Sequence, residues 1–291
     1  MSSWEEKFKL WSKGPAKTEE ERCENAINMI KAAIDASDKL KSRQVELFLQ
    51  GSYKNRVNVR QDSDVDIGVV CNSVFYGDYP EGTTRDTFGY TEASYTYAQF
   101  KNDVGEALVN KFGSDNVTRG NKAFDIKANS YRVEADVAPF MQHRRVKADG
   151  SYNQGVQLFS DSGAKVINWP EQHYDNGVAK NSNCSRRYKR LVRILKKLKN
   201  EMQDANISLA TDIPGFLCEC LIWNVPNNQF GNDLYTQDLK NALIHLYDKL
   251  DKKESDEWGE VCELKYLFRG QKWSKSQAHD FVLAAWQYVG Y

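Results

Sequence analysis

Two aspartates, Asp64 and Asp66, stand at alternating positions in "DSDVDIGVV", at the mouth of an apolar run. In a strand, residues two apart share a face, and strand rise places this pair about 7 Å apart along the backbone. Carboxylates so placed repel each other unless a cation lies between them. The following "IGVV" predicts burial, where an unpaired carboxylate is costly. A third acid, Asp136, sits in a similar apolar setting, "RVEADVAPF". Taken alone, "DVD" is explained as well by a solvated strand end. With Asp136 on a neighbouring strand, the set becomes a hard-oxygen site suited to Mg²⁺, which takes few protein carboxylates and leaves its other positions to water and phosphates. Asp62 shares the parity of Asp64 and Asp66 and is an alternative first ligand.

The elements that must position these acids follow from periodicity. "VELFLQG" reads as a strand ended by glycine and "DVDIGVV" as a second, mostly buried strand. "TEEERCENAINMIKAAIDAS" has helical spacing and opens on a Thr-x-x-Glu capping pattern, which predicts a long first helix. "FYGDYPEGTTRDTFGYTEASY" is polar and rich in Gly and Tyr and is expected to form a loop or flap. "TYAQFKNDVGEALVNKFG" predicts a helix ending at Gly113, and "AFDIKANSYRVEADVAPF" a strand, a turn and a strand carrying Asp136. After Pro170 the patterns become helical. An α/β (α+β) fold is expected, with a mixed-sheet core over 1–170 and a helical lobe over 171–291. The predicted first helix is a candidate to pack on that lobe.

Composition narrows the function classes. The chain has 291 residues, 41% of them hydrophobic and 27% charged, with zero formal net charge. That is a globular composition, and the neutral balance argues against wholesale binding to nucleic acid or to an anionic membrane. No run of eighteen apolar residues predicts a membrane helix, and "MSSWEEKFKLWSKG" lacks a signal-peptide core. Six scattered cysteines, only Cys218 and Cys220 being close, suit reduced thiols in a cytoplasmic protein.

Gly51-Ser52, a spacer, Asp-x-Asp at a strand and a lone Asp on a later strand resemble the DNA polymerase β-like nucleotidyltransferase superfamily. "QGSYKNRVNVRQDSDVDIGVV" is similar to the bacterial CD-NTases, the cGAS/DncV-like nucleotidyltransferases, and to their pyrimidine-using CdnE-like branch. "VEADVAPF", "YKRLVRILKKLKN" and "IPGFLCECLIWNVPN" resemble that family's third-aspartate strand, central basic helix and following helix, so the likeness runs from Phe48 to Asn228. Val57 departs from it, since many relatives carry threonine there; a minor effect on loop packing is expected. The resemblance implies a polymerase β-like core with the active site in the cleft between core and lobe, and two Mg²⁺ ions, with Mn²⁺ a possible substitute. Gly51 and Ser52 would bind terminal phosphates through backbone amides and hydroxyl. Asp64, preferred over Asp62, and Asp66 would hold the metal on the triphosphate. Asp136 would join them on the second metal and help activate the attacking ribose hydroxyl.

On the central helix Leu191, Ile194, Leu195 and Leu198 form one stripe, and Arg186, Lys189, Arg193 and Lys196 form another on the opposite side. The basic stripe reads as a solvated face, with one exception. The family pattern of arginine, two apolar residues and lysine implies that Lys196 of "RILK" contacts the donor triphosphate. Tyr53, Phe216 and Tyr235 are candidates to stack on bases, with core packing the competing role, and Lys180 is a candidate to touch phosphate or ribose. Glu219 reads as structural. Counting back from Lys196 by the family's spacing places the base-reading position at Asn168, whose amide can donate to and accept from uracil; capping of the turn at Trp169-Pro170 is the competing role.

The resemblance implies a synthase that joins ribonucleoside triphosphates into a uridine-containing cyclic dinucleotide, cyclic UMP-AMP or cyclic di-UMP, with pyrophosphate released. The product would be a second messenger in bacterial anti-phage defence, recognised by a separate effector protein. A monomer without membrane association or DNA activation is expected. The competing readings are a template-independent nucleotidyltransferase acting on RNA ends, protein or a small molecule, and a non-catalytic nucleotide-binding regulator. A long RNA substrate fits poorly with zero net charge.

Overall fold

The structure, a computed structural model, describes residues 3–14, 17–59 and 64–291; Asp62, the alternative ligand, lies outside them. In chain order the elements are α1 (Trp4–Trp11), α2 (Lys17–Asp35), α3 (Asp38–Lys41), β1 (Val45–Leu49), α4 (Gly51–Lys54), β2 (Val65–Asp78), α5 (Tyr97–Phe112), β3 (Val117–Arg119), β4 (Phe124–Ile126), β5 (Ala135–Val146), β6 (Tyr152–Phe159), β7 (Lys165–Asn168), α6 (Pro170–Asn183), α7 (Tyr188–Asp204), α8 (Gly215–Trp223), α9 (Tyr235–Leu250) and α10 (Lys275–Val289). They form two compact units. The sheet unit holds 17–54 and 64–170; the helical unit holds α1, residues 55–59 and 171–291.

The sheet is mixed, in the order β1-β2-β5-β4-β3, with β6 paired to both β5 and β7. Its one parallel pair among the described strands, β2 with β5, sets Val65 opposite Ala135, Asp66 opposite Asp136 and Ile67 opposite Val137. Val65, Ile67, Val69, Ala135, Val137 and Ile126 are fully buried and share a cluster with Ala26 and Ile30 of α2 and Phe100 and Leu108 of α5. Because side chains alternate, burying that face turns Asp66 and Asp136 to the other. β2 is longer than the sequence pattern predicts. Past an irregularity between Cys71 and Phe75 it pairs again with β5, Phe75 to Asp78 against Gln142 to Arg145. The start of the expected flap is therefore strand. Backbone pairing holds it, together with the Arg144 guanidinium 3.9 Å from the centre of the Phe75 ring.

Helix α2 carries Cys23, Ala26, Ile30, Ala33 and Ile34 into the sheet-unit cluster. The N-terminal segment that enters the helical unit is instead α1. Ser3 and Glu6 form its reciprocal capping box, Phe8 is fully buried in the helical core, and the Lys7 ammonium is 2.7 Å from Glu201. Val57 is also fully buried in that core, so the family's threonine position is here an apolar packing site. All six cysteines are buried and free of disulfides. Among the described residues no helix is long and apolar enough to cross a membrane.

Helix α7 corrects the expected solvated basic face. Leu191, Ile194, Leu195 and Leu198 are fully buried as their stripe predicts, but Lys189 and Arg193 are only 9% exposed and Lys196 only 7%; Arg186 alone of the four is exposed. Arg193 donates from Nε to the Ser12 carbonyl at 2.9 Å, and from its terminal nitrogens to Ser12 and Arg56 carbonyls. Burial draws its pKa down to about 10 with help from Arg190, so it stays charged at neutral pH. The charge is buried because it satisfies two backbone acceptors that distant parts of the chain bring to it. Arg193→Met strands both carbonyls. It is expected to cost about 2–4 kcal/mol of unfolding free energy, read from the denaturant midpoint.

Candidate active site

In the sheet unit the site begins where β1 meets β2. Leu49 pairs with Ile67, and Gln50 N–H donates to the Asp66 carbonyl at 3.0 Å. The chain then turns at Gly51, whose φ is 65°, into the single turn α4. A Cβ at Gly51 would meet Asp66 Oδ2 at 1.9 Å. Only glycine combines this left-handed backbone with a carboxylate lying against it. Ser52 and Tyr53 follow, both half-buried, and Tyr53 packs on the sheet-unit core.

Asp64 is exposed immediately before β2, and Asp66 lies level with Asp136 across the parallel pair. On the far side of β5, Asp136 is level with Asp125 of β4, an acid the sequence reading passed over. Burial, then the charges of Asp125, Asp66 and Asp64 together with a hydrogen bond to Asp125, push the Asp136 carboxyl up to about 6. Among the described residues no three carboxylate, imidazole or thiol groups are gathered closely enough to chelate an ion as they stand. The donor chemistry nevertheless fits a hard divalent cation: Asp66 and Asp136 offer hard carboxylate oxygens on one face, with Asp64 at the strand mouth.

Asn168 is brought to the same face of the sheet. It ends β7 opposite Val156 of β6, and Val156 lies opposite Gln142 of β5. Gln142 is an even number of residues from Asp136 and so points with it. It is 6% exposed and accepts from Arg144 Nε at 2.8 Å.

The helical unit holds the remaining candidates. Lys196 Nζ is 3.9 Å from Glu219 Oε2, and Glu219 Oε1 is 2.9 Å from His173 Nε2. Phe216 is half-buried, its ring 5.9 Å from that of His173 and 6.1 Å from that of Trp273. Lys180 is placed differently. Its ammonium donates to the Val225 carbonyl at 2.8 Å and Asn227 Oδ1 at 2.9 Å, facing the Trp223 and Phe230 rings. Burial brings its pKa down to about 8, and a nucleotide would have to compete with both bonds. Tyr235 is also committed: its hydroxyl accepts from Arg190 at 3.1 Å and the Arg187 guanidinium lies over its ring.

Comparison with known proteins places these features. Residues 175–290 match the cGAS/DncV-like nucleotidyltransferase C-terminal helical domain. The chain is 44% identical over 291 residues to a cyclic dipyrimidine nucleotide synthase CdnE of Legionella pneumophila, with 98% of each chain covered. It superposes on the Rhodothermus marinus CdnE c-UMP-AMP synthase, solved with Apcpp and Upnpp, at a TM-score of 0.87 and 28% identity, over 99% of this chain and 97% of that one. The Elizabethkingia meningoseptica CdnE cyclic dinucleotide synthase, solved with GTP and Apcpp, gives a TM-score of 0.83 and 35% identity over 99% of both chains. The chain belongs to the cGAS/DncV-like nucleotidyltransferases and, within them, to the CdnE-like branch.

Proposed function

We propose that this nucleotidyltransferase joins two ribonucleoside triphosphates into a cyclic dinucleotide containing uridine, cyclic UMP-AMP or cyclic di-UMP, as a second messenger in bacterial anti-phage defence. The observation that carries the chemistry is the level placement of Asp66 and Asp136 across β2 and β5, with Asp64 at the strand mouth. Asp64 and Asp66 would hold Mg²⁺ against the triphosphate, and Asp136 would share a second ion. Metal bound there neutralises phosphate charge and acidifies the attacking ribose hydroxyl. In this reading the turn at Gly51 and Ser52 offers amides and a hydroxyl to the terminal phosphates. Gly51 also lets the Asp66 carboxylate lie beside that turn. The Lys196 ammonium meets the negative charge that builds on the departing pyrophosphate, and Phe216 is the aromatic face offered to a base.

The choice of uracil rests on Asn168. Its placement on the face that carries the acids supports a base contact, and its amide has both the donor and the acceptor that the N3–H and O4 of uracil require. Relatives named as a cyclic dipyrimidine synthase and a c-UMP-AMP synthase favour the same base.

Incubating the protein with all four ribonucleoside triphosphates and Mg²⁺ tests the reading. A phosphatase-resistant small product containing uridine is expected. Labelled RNA or protein would move the assignment to a different acceptor, and no pyrophosphate release would move it to a binding module. Asp66→Asn and Asp136→Asn are each expected to fold normally and lose product by at least about a thousandfold, because shape is kept while anionic ligands are lost. Gly51→Ala should lose product too. Besides about 1–2 kcal/mol for the left-handed backbone, the added methyl must displace the Asp66 carboxylate it would meet, so activity is lost even where the fold is kept. Asn168→Ser is expected to shift incorporation from UTP toward purine triphosphates in competition assays. Purine-only product from the unaltered protein, unchanged in the serine variant, would sink the uracil assignment and leave the synthase assignment standing.

A further inference from the structure

Glu219 is the least expected group in the helical unit. It lies in α8 within "FLCECLIW", surrounded by fully buried Leu217, Cys218, Cys220, Leu221 and Ile222. Its own side chain is 4% exposed. Burial pushes its pKa up, yet the hydrogen bond from His173 and the charges of Lys196, His173 and Lys189 outweigh that and hold it below the usual carboxylate range. A buried ion pair is a poor device for stability, because desolvation offsets most of the attraction. A carboxylate kept charged at such a place calls for another use.

Its surroundings suggest one. Lys189 and Lys196 are two turns apart on α7, so they lie on one side of it. Gly215 and Glu219 are one turn apart on α8 and likewise share a side. The end of the Lys196 side chain runs along Gly215, where an added Cβ would lie 3.5 Å from Cε and 3.7 Å from Cδ. The ammonium then stops 3.9 Å from Glu219 Oε2, beyond hydrogen-bond distance. Glu219 thus fixes where the charge sits without consuming its donors. The other carboxylate oxygen is held by His173, whose ring leans on Phe216. With two lysines against one carboxylate, the cluster also carries surplus positive charge, which an anionic ligand would balance.

We propose that Glu219, pinned by His173, is a positioning residue for nucleotidyl transfer: it sets the place of the Lys196 ammonium that binds the triphosphate. The inference rests on the reading of Lys196 as a triphosphate contact. Steady-state kinetics on the full chain test it, using Glu219→Gln, His173→Phe, Lys196→Ala and the double variant Glu219→Gln with Lys196→Ala, each with its thermal midpoint. Glu219→Gln is expected to raise the triphosphate KM by about tenfold with a smaller fall in kcat, and the double variant to be no worse than Lys196→Ala, the non-additivity of residues acting as one unit. His173→Phe keeps the carboxylate and removes its anchor, so a rise of about threefold is expected even if the glutamine variant folds poorly. Losses that multiply in the double variant would show that Glu219 does not act through Lys196 and would overturn the proposal alone. An unaltered KM in Lys196→Ala would overturn both it and the reading beneath it. A KM unchanged in both His173→Phe and Glu219→Gln would overturn it as well.

Discussion

Everything at the sheet-unit site depends on a single register. Neighbouring strands lie about 4.8 Å apart, so Asp66 opposite Asp136 is about as close as two backbones can bring two acids. A slip of one residue would turn one acid into the core. The apolar face prevents it: Val65, Ile67 and Val69 on β2, and Ala135 and Val137 on β5, are fully buried against α2 and α5. The acids therefore stay level because the residues between them cannot be anywhere else. Their repulsion is compensated by the packing beneath, and it leaves the Asp136 carboxyl raised to about 6. Gly68, level with Ala138 on the same pair, extends the economy of space. A Cβ there would meet the Phe48 ring at 2.1 Å, so glycine leaves room for the Phe48 ring of β1 to lie over its paired residue on β2.

The helical unit meets the opposite problem, buried cations, and treats each differently. Arg193 is consumed by the Ser12 and Arg56 carbonyls and ties three stretches of chain together. Lys180 is consumed by Val225 and Asn227. Both have become framework. Lys196 alone of the three is held by a carboxylate at a distance too long to engage its donors. The contrast separates cations that donate to carbonyl oxygens from one that faces a carboxylate beyond hydrogen-bond distance, a distinction that burial does not make.

The sequence showed what is periodic and local. Asp64, Asp66 and the strand behind them are legible because alternation and the apolar run agree, and α5 ends at Gly113 as its pattern predicts. Asp125 was not legible: its strand is three residues long and owes its place to β5, a partner whose register no local pattern specifies. Glu219 reads from the sequence only as structural, because an apolar run around one acid says nothing of what lies across from it. The basic stripe of α7 misled in the other direction. Amphipathic spacing separates two faces of a helix but does not say that the polar one meets water, and Lys189 and Arg193 are buried by elements remote in sequence. Helix α1 had a readable Ser-x-x-Glu cap, but its eight residues give too little periodicity to stand out.

Zero net charge hides a division of labour. Asp66, Asp136 and Asp125 lie level across three neighbouring strands, with Asp64 at the mouth of β2. Lys189, Lys196 and His173 surround a single carboxylate in the other unit. A chain that bound long nucleic acid through its phosphates would need its surplus of one sign spread along a groove. Here the acids of the sheet unit and the lysines of the helical unit are each gathered at one small place, a pattern that suits a mononucleotide better than a long chain of phosphates.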